Sequence, residues 1–212
     1  MSTEEAKMVS EIAKATGEVA KASGKAIDAA SGFGVWLNRT IGTIPEDLIG
    51  ILGGDWLHEQ RKRTLHSLKA KTLEKCDKIQ ARPPSEPSIS IVLPLLKAAV
   101  DENRPELQDL WAGLLASTYQ PDGGQRVRRA FFDTLEKMEP SDARLFDAIV
   151  REKLASPSGR VIPLDIGTEV GITGEDLVVS RNALDTLGLL EFGFEGARPT
   201  PYGIMFWRAC NP

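Results

Sequence analysis

The chain has 212 residues, 42% of them hydrophobic, and carries 26 Lys and Arg against 30 Asp and Glu for a formal net charge of −4. Enough apolar side chain is present to bury a core, so disorder is not the default, and the length suits one larger domain or two small ones. The charge is uneven: residues 1–82 hold 13 cations against 11 carboxylates and the remainder 13 against 19, so the C-terminal part is poorly suited to neutralising a phosphate backbone.

Two distant cysteines, Cys76 and Cys210, and an opening MSTEEAKMVSEIAKATG that is charged from its fourth residue predict a cytoplasmic protein with free thiols. The most apolar region, 29–54, is interrupted by Arg39, Glu46 and Asp47, so no span of transmembrane length is expected.

Residues 4–30 are rich in Ala, Lys and Glu, with AKATG and AKASG repeating seven apart. As a helix they place Ala13, Gly17, Ala20 and Gly24 on one face, open to close approach by another helix. SGFGVWLNRTIGTIPEDLIGILGG (31–54) is too broken by Gly for one long helix, though a short one after Pro45 is expected, because Pro suits the first turn and Glu46 and Asp47 its positive end. Residues 55–80 form an amphipathic helix with Leu57, Leu65, Leu68, Thr72, Cys76 and Ile79 on one side. On its other side Arg61, Lys62, Arg63, Lys69, Lys71, Lys75 and Lys78 outnumber Glu59, Glu74 and Asp77 by four.

The prolines of ARPPSEPS (81–88) end that helix. Helices are then expected near 92–101, 104–119, 126–138 and 141–154, with Pro105 and Pro140 at two starts and PDGG (121–124) as a turn. In the second of these, Leu107, Leu110, Trp111, Leu114 and Leu115 recur three and four apart and are read as core, since a Trp on a Leu stripe is more often packed than displayed. After SPSGR (156–160) come a short helix around 163–170, a turn at Gly171, a capping-box pattern at Thr173 and Asp176, a helix that Gly188 ends, a hairpin of LLEFGF with ARPT, and a closing helix YGIMFWRAC. Helix, turn, helix and hairpin is winged-helix order, with 141–154 as its first element.

The fold class is therefore mainly α: a helical bundle followed by a C-terminal winged-helix-like unit with a small β-hairpin. Its expected divisions are an N-terminal helical, Gly/Ala-rich segment (1–54), a central helical domain (55–138) and the winged-helix-like domain (139–212).

Several blocks in this order, LLKAAVDENRPELQDLWAGLLASTYQP, FFDTLEKMEPSDARLFDAI, ALDTLGLLEFGF and TPYGIMFWRAC, resemble the abortive infection alpha family of bacterial proteins associated with phage resistance. The likeness rests on Leu110 to Ala116, Leu135 to Ala143 and Leu184 to Leu190 with Thr200, Pro201, Gly203, Phe206 and Cys210, and covers about residues 55–210. It implies antiviral defence and supplies no catalytic residues.

The chemistry of the residues names none either. His58-Glu59 opens like a zinc-protease motif, but the position of the second His is Lys62; SGKA (23–26) lacks the first Gly and final Ser/Thr of a phosphate loop; GFG (32–34) has Leu37 where the third Gly belongs; and no Gly-x-Ser-x-Gly elbow occurs. Asp142 reads as a helix-start carboxylate. The second winged-helix element carries Glu175, Asp176 and Asp185 against Arg181, so nucleic acid is not expected there.

The expectation is a non-enzymatic abortive-infection protein with no cofactor, metal or small-molecule substrate, acting in the cytoplasm or at the inner membrane face. It would work through a protein partner or self-association, or through an anionic membrane met by Trp36, Arg61, Lys62, Arg63 and Lys69. A nucleic-acid-binding winged-helix regulator is the alternative.

Overall fold

The computed structural model describes residues 54–79, 87–120, 126–155, 165–194 and 196–212. The Ala/Gly-rich stretch, the helix after Pro45, Trp36 and most residues of the three expected loops lie outside these. Helix α1 (Gly54–Lys78) is followed by α2 (Ile89–Ala99), α3 (Pro105–Thr118), α4 (Arg129–Glu136), α5 (Pro140–Ala155), α6 (Ile166–Glu169) and α7 (Gly174–Thr186). Strands β1 (Leu190–Gly193) and β2 (Gly196–Pro199) and helix α8 (Pro201–Cys210) complete the order. The fold is mainly helical, with one antiparallel hairpin that pairs Leu190 with Pro199 and Glu191 with Arg198.

Three expected boundaries shift. Helix α2 starts at Ile89 rather than 92 and contains Pro94. A proline there has no N–H for the carbonyl four residues earlier, that of Ser90. Arg129 Nη2 donates to that oxygen at 3.0 Å, which helps explain how the helix runs through. Helix α4 is shorter than 126–138, with Arg128 extended as its N-cap, and α6 is a single turn.

Helix α1 turns Thr64, Leu65, Leu68, Thr72 and Cys76 inward, with Leu57 and Ile79 at the half-buried edge. Thr72 reaches that apolar face because its hydroxyl donates to Leu68 O at 2.7 Å. The surface it meets belongs to α3, which is enclosed on more than one side: Leu107, Gln108, Trp111, Ala112, Gly113, Leu114, Leu115, Ala116, Ser117 and Thr118 are all buried, while Leu110 is half-buried. The spacing implied a stripe; packing by α1, α2, α5 and α8 makes α3 the central element.

The C-terminal elements keep the predicted order. Helix α7 ends in a Schellman arrangement: Leu189 N–H donates to Leu184 O, Gly188 N–H donates to Asp185 O, and Gly188 adopts φ 67°. Thr173 is the N-cap of α7, but its side chain makes no capping hydrogen bond, so the expected capping box does not form. Asp142 does act at a helix start, accepting from Glu139 N–H at 2.9 Å. The arrangement of α5, α6, α7 and the hairpin is compatible with a winged helix. Helix α8 leaves that unit and enters the bundle, where Phe206 lies 5.5 Å from Phe131 and 5.8 Å from Phe146 between ring centroids. One buried apolar cluster thus runs from Leu65 to Cys210.

Candidate functional site

The basic helix is only partly a displayed surface. Arg61 is held in a bidentate pair by Asp101, at 2.6 and 2.8 Å; Lys71 Nζ donates to Pro105 O at 2.9 Å; Lys75 meets Asp109 at 2.9 Å. These long side chains run their stems along the α1–α3 seam and close its margin. The signal was in the spacing: Arg61 and Lys75 stand seven residues either side of Leu68, on the apolar stripe itself. Of the other expected contact residues, Lys69 is half-buried, and Lys62 and Arg63 face outward with Trp56, which is 77% exposed. Glu59 meets Arg63 at 3.6 Å.

At the turn between α2 and α3 a polar junction forms that the sequence reading missed. Glu102, buried, accepts from Arg104 Nε and backbone N–H at 2.9 Å, and Arg104 also pairs with Glu139. Gln108, buried too, donates to Glu102 O and accepts from Ser67 Oγ, both at 2.9 Å. Asp101, Glu102, Asn103, Arg104, Trp111 and Glu136 border an open cleft of about 340 Å³. Burial by itself pushes the Glu102 carboxyl up, but the hydrogen bonds and charge of Arg104 outweigh it and leave Glu102 below its ordinary value of 4.5. A depressed carboxylate stabilises the fold above its ordinary value and loses that contribution as pH falls through the folded one. Glu102→Gln should therefore cost about 1.5–3 kcal/mol at neutral pH, the worth of a charged hydrogen bond. Its deficit against the wild type should shrink as urea melts are repeated below pH 4.5; a deficit constant with pH would remove this assignment.

The third feature lies on the C-terminal unit. Ser180 and Leu184 face inward, which turns Glu175, Val178, Val179, Asn182 and Asp185 to solvent. Val178 and Val179 are 54% and 65% exposed, and Phe194 at the hairpin tip is wholly so. Arg181 is drawn to the side, its guanidinium 5.0 Å from the Phe192 ring centroid.

Residues 60–210 match the family described as abortive infection alpha. The chain belongs to the abortive infection alpha family. No curated protein and no solved structure matches it. Membership assigns the protein in general terms to abortive infection, defence against phage.

Within this abortive infection alpha protein the deepest reactive groups are occupied in holding the fold. Burial, with Asp77 adding, pushes the Cys76 thiol up to about 12, and burial raises Cys210 as well, so neither is a thiolate at neutral pH. Glu102 is taken by Arg104 and Asp142 by a helix start. Among the described residues no group of three or more His, Cys, Asp or Glu could hold a metal ion, and no helix is long and apolar enough to cross a membrane. Phe194 escaped the sequence reading because LLEFGF alternates like a buried strand; only the turn position separates it from Phe192.

Proposed function

We propose that this abortive infection alpha protein contributes to phage defence without catalysing a reaction, by presenting the outer face of α7 and the hairpin tip to a protein partner in the cytoplasm. The observation that carries this reading is the exposure of Phe194 together with Val178 and Val179. A fully exposed Phe on the hairpin that follows α7, with two exposed valines on α7 itself, has the composition of a binding surface. Nucleic acid, the alternative reading, is disfavoured because Glu175 and Asp185 face outward where phosphates would approach and Arg181 is engaged by Phe192. A lipid contact through residues 29–80 is a lesser reading, supported by Trp56 standing in the open beside Lys62 and Arg63.

The test is phage challenge of cells expressing the wild type or a Val178→Ser, Val179→Ser, Phe194→Ser triple variant, scored for plaque number and host survival. Exposed substitutions of this kind shift stability by no more than roughly 0.5 kcal/mol each. Loss of a central aromatic contact weakens binding by about 2 kcal/mol, roughly thirtyfold. The variant should keep its melting temperature and lose protection. Full protection at equal expression would overturn the reading.

A further inference from the structure

Two surfaces of this protein set large apolar side chains in the open beside charge, and the charges have opposite sign. On α1, Trp56 and Arg63 lie seven residues apart on one outward stripe, with Lys62 exposed next to it and Glu59 offsetting one of the two cations. On α7, Val178 and Val179 stand between Glu175 and Asp185, with Asp176 and Asn182 also exposed, and Phe194 is exposed at the hairpin tip. Both faces are exposed in the same fold, α1 packing on α3 and α7 on α5 and β1.

We propose that the two faces are complementary halves of one contact between copies of this chain: Trp56 of one copy seats on Val178, Val179 and Phe194 of the next, with Lys62 and Arg63 against Glu175 and Asp185. This rests on the reading of the α7 edge as a protein-docking surface and names its occupant. Unlike faces meet, so the association is head-to-tail and either closes as a ring or runs on as a chain. Charge decides against a lipid surface for the α1 face. Arg61, Lys71 and Lys75 are engaged by Asp101, Pro105 O and Asp109, and of the four cations left Arg63 and Lys78 are offset by Glu59 and Glu74, so the net positive charge falls below that of the about four to eight basic groups that bind anionic membranes. The acidic outer face of α7 instead matches a face whose remaining charge is positive, Lys62 and Arg63 against the single Glu59.

The test is sedimentation of the full chain across the micromolar range at low and high salt. The wild type should gain mass with concentration, less so at high salt. The double variants Lys62→Glu with Arg63→Glu, and Glu175→Lys with Asp185→Lys, should each stay monomeric, since each carries like charge on both faces. Mixed in equal amounts they should associate again, because every face then meets its opposite, and adding Trp56→Ser to both should abolish that rescue. A wild type that is monomeric throughout, or association that survives in both double variants, overturns the proposal. So does a monomeric chain that sediments with anionic phosphatidylserine vesicles through Lys62 and Arg63. If the Phe194 triple variant loses phage protection while the wild type is monomeric, the docking edge stands with another protein as its partner. If protection is retained, the docking edge itself fails.

Discussion

Gly113→Ala should destabilise the protein by roughly 3 kcal/mol, the upper part of the usual cost of overpacking. Gly113 lies on α3 against the last residue of α8, and a Cβ there would stand 1.7 Å from the Cys210 carbonyl oxygen and 2.5 Å from its carbon. Both obstacles are backbone, so no side chain can rotate away and α8 itself must move. It is held in place by Ser117 Oγ, which donates to Ala209 O at 2.7 Å, and by Phe206 between Phe131 and Phe146. Inside an ordinary helix the same change gains up to about 1 kcal/mol, so the sign of the effect is diagnostic. Gly193→Ala is the control, because its Cβ would meet only Gly196 O at 3.9 Å. Urea midpoints measure both. A Gly113→Ala midpoint equal to the wild type would mean that α8 does not lie on α3 as described.

Trp111→Ala should cost about 3–5 kcal/mol, the range for truncating a buried aromatic. Trp111 is 1% exposed, faces Phe132 at 6.3 Å between centroids, and also borders the cleft beside Glu102 and Arg104. Removing it opens a void at the point where the apolar core and the polar junction share a wall. For a chain of this size each kcal/mol lowers the melting temperature by about 2–4 °C, so a calorimetric shift of roughly 10 °C is expected. An unchanged melting temperature would make Trp111 a displayed contact instead.

Much of this architecture is legible in the residues because helices and hairpins announce themselves locally. The period of Leu65, Leu68, Thr72 and Cys76 assigns the inner face of α1, Pro105 and Pro140 mark two helix starts, and Gly188 marks an end whose positive φ the structure shows. The candidate surface was less legible. Phe192 and Phe194 are alike in sequence, and only the hairpin turn leaves one over Arg181 and the other in solvent. The Glu102 junction was missed for a related reason: DENRPE reads as a polar turn, and nothing local says that its carboxylate is buried and answered by Glu139-bound Arg104.

By itself the sequence determined the helical class, the hairpin at 190–199, the order of the elements and the family, since each follows from periodicity, turn chemistry or motif order within short windows. Only the tertiary structure decided what each face meets. A 3.6-residue period gives a helix an inside without naming the inside's neighbour, so the enclosure of α3 could not be read from its Leu–Trp stripe. A count of charges says nothing of direction, so Arg61, Lys71 and Lys75 looked available until Asp101, Pro105 and Asp109 came within 3 Å of them. The seating of Cys210 on Gly113 and of Ala209 on Ser117 joins residues more than 90 positions apart. Contacts of that range depend on how every intervening helix packs.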